Sequence, residues 1–87
     1  LKKYSDTDVE IKRVWIEPDY RGNHIATSLM DLLEDHAKDY GFKRIILQTR
    51  NIMTDALRLY SKCGYYQIDN YPPYDKLEGA ICLAKDL

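Results

Sequence analysis

Cysteine is scarce in this chain of 87 residues, with only Cys63 and Cys82 present. Two cysteines this far apart make neither a disulfide framework nor a zinc site, so the expectation is two reduced packing thiols and no metal. That usage fits a cytoplasmic compartment. Long apolar runs are also missing: none approaches the roughly 20 residues needed to cross a bilayer, and no secretory signal pattern opens the chain. No membrane partner is expected. Neither sign of charge dominates, because 13 Lys and Arg stand against 14 Asp and Glu for a net charge of −1. Without a large basic face, nucleic acid is not an expected partner. Internal repeats and low-complexity segments are absent as well. What is left is the composition of an ordinary folded chain, 45% hydrophobic and 31% charged. Residues 1–87 are long enough for one domain, of modest stability because chains of this length bury only about 60–65% of their unfolded surface.

The stretch that organises the rest is Arg21-Gly22-Asn23-His24-Ile25-Ala26. It lies between a strand-like run, Val9 to Ile16, and a long amphipathic run, Ile25 to Tyr40. The first turn of a helix has N–H groups with no intrahelical acceptor, and the helix dipole adds positive potential there. A phosphate at that end is held mainly by main chain. Gly22 and Ala26 are small enough for a ligand to approach the backbone, and Arg21 adds a fixed positive charge. An ordinary strand-to-helix connection would look the same on spacing alone.

The remaining elements follow from pattern. Leu1 to Thr7 reads as the tail of an earlier strand and its turn, with Ser5 and Asp6 as turn formers. Val9 to Ile16 is rich in β-branched residues, and Pro18 stops it. Its apolar run Val14-Trp15-Ile16 fits either a strand buried on both faces or a local bulge. Ile25, Leu29, Leu32, Leu33, His36 and Tyr40 predict one apolar stripe on a helix over 24–40, with Asp31, Glu34, Asp35 and Lys38 on the other side. Gly41 is its expected C-cap. Lys43 to Thr49 predicts a second strand, joined to the first by a right-handed crossover and therefore parallel to it. Ligands of such sheets sit at the carboxyl ends of the strands, where Arg21 to Ala26 lies. A second helix is expected over Asn51 to Cys63, with Ile52, Ala56, Leu59, Tyr60 and Cys63 on one stripe and Gly64 closing it. Tyr65 to Tyr71 reads as a strand, Pro72-Pro73 opens a loop, and Gly79 to Ala84 is a last strand antiparallel to its predecessor. The class is α/β, in the form of an α+β mixed sheet with the order β-α-β-α-β-β.

Two stretches carry a resemblance. Glu10 to Ala26, a strand that reaches Glu17-Pro18 and then a loop Arg21-Gly22-Asn23-His24-Ile25-Ala26, resembles motif A of the GNAT superfamily of N-acetyltransferases. Ala56-Leu57-Arg58-Leu59-Tyr60-Ser61-Lys62-Cys63-Gly64-Tyr65 resembles motif B, Ala-x-x-Leu-Tyr-x-x-x-Gly-Phe, with Tyr65 at the aromatic position. Together they cover about residues 9–70. The resemblance implies an acyl-CoA N-acyltransferase fold lacking its N-terminal strands and helices, so that 1–87 is the C-terminal half of a longer domain; the opening Leu1 agrees with this. It implies that the loop binds the pyrophosphate of acetyl-CoA, through Arg21, Gly22, Asn23, His24, Ile25, Ala26 and Thr27. Val14, Trp15 and Ile16 would hold the pantetheine arm in a slot opened by a bulge, and their N–H groups would serve a developing oxyanion. The family's first loop glycine falls on His24, whose side chain either crowds the pyrophosphate or donates a hydrogen bond to it.

Acetyl transfer from a thioester to an amine needs a neutral amine, a donor for the oxyanion and a proton for the departing thiolate. The resemblance assigns the last to Tyr60, whose phenol near pKa ~10 can serve a thiolate of similar basicity; the alternative is a core tyrosine, one of eight. For the base, the position where many relatives carry Glu falls on Gln48, and the frequent Asn position falls on Met53. Glu10 is the best remaining carboxylate, against the alternative of a solvated surface charge. His36 reads as packing, and His24 is placed for phosphate. The implied activity is acetyl-CoA-dependent N-acetylation of a primary amine on a small molecule or protein. The other reading is a non-catalytic coenzyme A-binding or interaction module, which self-associates into a homodimer through an open edge on the Val9 to Ile16 strand.

Overall fold

The computed structural model describes residues 1–12 and 25–87, with side chains described from Ser28 onward in the second segment. Five strands form one sheet: β1 (Lys2–Lys3), β2 (Asp8–Ile11), β3 (Arg44–Arg50), β4 (Tyr66–Ile68) and β5 (Ala80–Asp86). Two helices, α1 (Ile25–Asp39) and α2 (Thr54–Lys62), precede β3 and β4. The spatial order is β1-β2-β3-β5-β4, with β2 and β3 parallel and every other pair antiparallel.

The polar start of the chain does make a strand and turn. Ser5 Oγ accepts from the N–H groups of Thr7 and Asp8 at 3.3 and 3.0 Å, which folds β1 back onto β2. Lys2 and Lys3 pair with Glu10 and Val9, so the edge of β2 expected to be open is covered at those positions. The expected strand to Ile16 is described only as far as Ile11 and Lys12; its Val14-Trp15-Ile16 run lies outside the described residues.

Register and alternation decide what each face of the sheet does. Val9 pairs with Ile45 and Ile11 with Leu47, and Leu47 in turn pairs with Leu83 on β5. Because successive side chains point to opposite faces, these residues share one face. There they pack with Met30 and Ala37 of α1, Tyr60 of α2 and Tyr65 into one core cluster. Both helices therefore cover the same face. The other face carries Glu10, Ile46, Cys82 and Ala84, all buried. A loop through Tyr71 and Tyr74 reaches over it, since the Tyr71 hydroxyl donates to Glu10 Oε2 at 2.8 Å.

The helices end where glycine permits a left-handed residue: Gly41 has φ +87° and Gly64 φ +94°. Their faces differ from expectation. On α1 the buried residues are Met30, Glu34 and Ala37, with Leu33 half-buried, whereas Leu32, His36 and Tyr40 are exposed. The stripe is rotated because Glu34 belongs to it. Its carboxylate is met by Lys85 Nζ at 2.7 Å and by the Tyr65 hydroxyl at 3.4 Å, so a charge occupies a position that periodicity assigns to an apolar residue. On α2, Ile52 lies before the first turn and is 71% exposed. Met53 stands at the N-cap with no side-chain cap, which places the helix start at Thr54 rather than Asn51. No helix among the described residues is long and apolar enough to cross a membrane.

Candidate functional site

Parallel strands joined through a helix put the start of that helix at the carboxyl end of the first strand. Here α1 begins at Ile25 and runs between the parallel strands β2 and β3, so its N-terminus opens at that end of the sheet. Its first turn contains no acidic residue, so nothing within that turn offsets the positive end of the dipole. Main chain of Ile25, Ala26 and Thr27 is helical. Arg21, Gly22, Asn23 and His24, like Val14, Trp15 and Ile16, lie outside the described residues.

At the same end of the sheet a cleft of about 240 Å³ is lined by Glu10, Ile11, Lys12, Gln48 and Tyr74. Glu10 is 5% exposed, which removes the reading of a solvated surface charge. An isolated carboxylate at that depth would be costly. It is offset by the Tyr71 hydroxyl on Oε2 and by Lys12 Nζ, 3.7 Å from Oε1. The Tyr71 phenol is pushed well above the usual tyrosine range, first by burial and then by the Glu10 carboxylate that it serves. It therefore stays a donor at neutral pH. Gln48 donates its amide to the Thr49 carbonyl at 2.7 Å, so its own backbone fixes it. The paired register of β2 and β3 extends to Ile11 and Leu47 among the described residues, while β3 continues to Arg50.

Tyr60 is 8% exposed and joins the core cluster, with its ring 5.8 Å from that of Tyr65. Burial, with a smaller contribution from Cys63, raises its phenol above the ordinary value. Its hydroxyl has no hydrogen-bond partner among the described residues. The structure does not bring Tyr60 and Glu10 together on one surface: Tyr60 packs on the helical face, beside Val9 and Ile11, and Glu10 alternates to the other. Both cysteines are free, Cys82 buried beside Glu10's face and Cys63 half-buried, each thiol pushed up by burial.

Sequence reasoning singled out Glu10 but missed its partners Tyr71 and Lys12 and the Tyr74 that lines the same cleft. The available signal was local: Tyr71-Pro72-Pro73-Tyr74 puts two tyrosines in a segment that cannot pair as a central strand. Such aromatic side chains need a surface to cover.

With this geometry in hand, relatives can be compared. Residues 1–65 match the Acetyltransferase (GNAT) family. "Probable N-acetyltransferase 14" of Xenopus tropicalis is 40% identical over 57 residues, which is 66% of this chain and 28% of that protein. IAA acetyltransferase of Azospirillum brasilense is 31% identical over 65 residues, 75% of this chain and 42% of that one. Among solved structures, a Klebsiella pneumoniae protein described as an acyl-CoA N-acyltransferase superposes with a TM-score of 0.86 at 29% identity, over 92% of this chain and 55% of its own. IAA acetyltransferase from Bacillus cereus has a TM-score of 0.79 at 23% identity, over 98% of this chain and 65% of that one, a likeness of fold alone. This chain thus spans less than half the length of the two curated relatives and about half that of the Klebsiella protein.

Proposed function

This chain belongs to the Acetyltransferase (GNAT) family, and from that membership we propose that it is the part of an N-acetyltransferase that binds acetyl-CoA and passes the acetyl group to a primary amine of a small molecule or protein. The observation that carries the reading is a coincidence of place. The N-terminus of α1, with no acidic residue in its first turn, and the buried carboxylate of Glu10 with its cleft lie at the same end of one parallel strand pair. The first suits a pyrophosphate. The second suits an ammonium that must lose a proton.

Coenzyme A supplies the activated acetyl group as a thioester. Arg21, Gly22, Asn23, His24 and the first-turn N–H groups of Ile25, Ala26 and Thr27 would hold its pyrophosphate, and Val14, Trp15 and Ile16 its arm. Glu10 takes a proton from the acceptor's ammonium, and the neutral amine attacks the carbonyl carbon. As nitrogen bonds to carbon, the carbon–sulfur bond breaks and Tyr60 gives its phenolic proton to the sulfur. Of the two protons that nitrogen loses, one leaves through Glu10 to solvent and the other replaces the one given by Tyr60. Tyr60 and Glu10 approach from opposite faces of the sheet, so the reacting carbonyl would lie beyond Ile11 and Leu47, the last β2–β3 pair among the described residues.

Calorimetric titration with acetyl-CoA, beside a thermal melt with and without it, tests the reading. Binding in the micromolar range with a raised melting temperature is expected, because a ligand of the folded state stabilises it by mass action. No binding by a folded chain would overturn the proposal and favour the interaction-module reading. Tyr60→Phe should lower turnover roughly a hundredfold with little change in acetyl-CoA affinity; stopped-flow release of free thiol measures the first, and an unaltered rate removes Tyr60 from the chemistry.

A further inference from the structure

Glu10 and Tyr71 are 61 residues apart in sequence, yet the Tyr71 hydroxyl donates to Glu10 Oε2 at 2.8 Å on the non-helical face of β2. Tyr71 is held on both flanks. Its ring meets that of Tyr4 edge-on, with centroids 5.0 Å apart and planes at 68°, and that of Tyr74 at 5.5 Å and 79°. The Tyr4 hydroxyl donates to the Pro72 carbonyl at 3.2 Å, which ties the loop to the turn between β1 and β2. A phenol fixed in this way cannot follow a glutamate through its rotamers, so the glutamate is fixed to the phenol. Oε2 is then committed. Among the described residues Oε1 has only Lys12 Nζ at 3.7 Å, longer than a hydrogen bond, and that lysine side chain is 39% exposed. One oxygen is anchored, the other accepts no hydrogen bond among the described residues, and Glu10 lines the cleft.

We propose that Tyr71 is a positioning residue for acetyl transfer: by holding Oε2 of Glu10, it presents Oε1 to the cleft, where the acceptor's ammonium gives up its proton. This rests on the role of Glu10 proposed above. Among the described residues the groups facing Glu10 are few. They are Lys12 just past its own strand, Lys2 opposite it on β1, Gln48 on β3, Cys82 on β5, and Tyr71 and Tyr74 from the loop, with Asp8 and its partner Arg44 further along the same face. None but Tyr71 makes a hydrogen bond to the carboxylate among the described residues. A donor to the charged form favours that form, so removing the hydroxyl makes Glu10 easier to protonate.

Tyr71→Phe keeps the ring and both edge contacts and deletes only the hydroxyl. With butylamine as the acceptor probe, kcat/KM for the amine should fall roughly tenfold, as expected for losing a hydrogen bond to a charged group. Its acid limb should move to higher pH, and the chain should stay folded at a somewhat lower melting temperature because the buried carboxylate loses its donor. In a Glu10→Gln background the same change should do nothing further. A merely structural tyrosine would lower activity equally in both backgrounds and leave the limb where it was, and that result overturns the proposal. Carbon-13 NMR of the Glu10 carboxyl against pH separates this from failure of the reaction itself. If the wild-type chain transfers no acetyl group, a raised midpoint in Tyr71→Phe still supports the positioning contact, and an unmoved midpoint rejects it.

Discussion

Burial holds the phenols of Tyr60 and Tyr65 above the ordinary tyrosine range, and at Tyr65 the Glu34 carboxylate adds to it. The unfolded chain releases those protons near pH ~10, whereas the folded chain retains them. Stability is therefore fully present below about pH 10 and falls as the pH climbs above it, by about 1.4 kcal/mol per pH unit for each such group. Tyr65→Phe should make that alkaline slope shallower, which urea titrations at several alkaline pH values measure directly. The acid partner has its own consequence. Glu34 is 6% exposed and satisfies Lys85 and Tyr65 together, so Glu34→Ala leaves an ammonium and a phenol facing an apolar helix. A loss of about 2–3 kcal/mol is expected, discounted because Lys85 keeps a 28% exposed side chain. Glu34→Gln should lose less, and equilibrium unfolding ranks the two.

For the helices, the hydrophobic stripe of α1 decides which substitutions matter. Met30 has no exposure, so Met30→Ala should cost about 2–5 kcal/mol. Leu32 and Tyr40 are 54% and 76% exposed, and changing either to Lys should move stability by no more than about 0.5 kcal/mol. Chemical denaturation of the three variants checks it. Both helix ends were legible because a glycine stop acts through one residue's own backbone: Gly41 and Gly64 carry the positive φ that ends a helix. The face of α1 was not legible. Leu29, Leu32 and Leu33 allow two overlapping stripes, and the choice falls to Glu34, whose burial depends on Lys85 arriving from the far end of the chain. Likewise β2 and β3 declared themselves by composition, but the covering of β2 by Lys2 and Lys3 rests on a serine turn that apolar patterning does not register. At the site, Glu10 could be picked out as a carboxylate, but its burial could not, because the hydroxyl that hydrogen-bonds it comes from a loop some 61 residues away.

Across the whole molecule the two faces of the sheet are built unequally. One is covered by two helices, the other by a loop that Tyr4, Tyr71 and Tyr74 pin down. Loops held by few contacts open locally without global unfolding. Tyr4→Ala removes both the edge contact and the bond to Pro72. Amide exchange at Tyr74 and Leu77, whose N–H groups bond within the loop at 2.7 and 3.1 Å, should then speed up severalfold. Amides of β3 and β5 should stay as slow as before, and hydrogen-exchange mass spectrometry distinguishes that from general loosening. The strand order carries one more consequence, for the chain as it is made. β5 is the last described strand to leave the ribosome, yet it lies between β3 and β4. Until Ala80–Asp86 emerges, β4 has nothing to pair with and β3 offers a bare hydrogen-bonding edge. Synthesis that stalls before Ala80 therefore yields a sheet split down the middle, with a sticky strand that chaperones must shield, rather than a domain short of one margin.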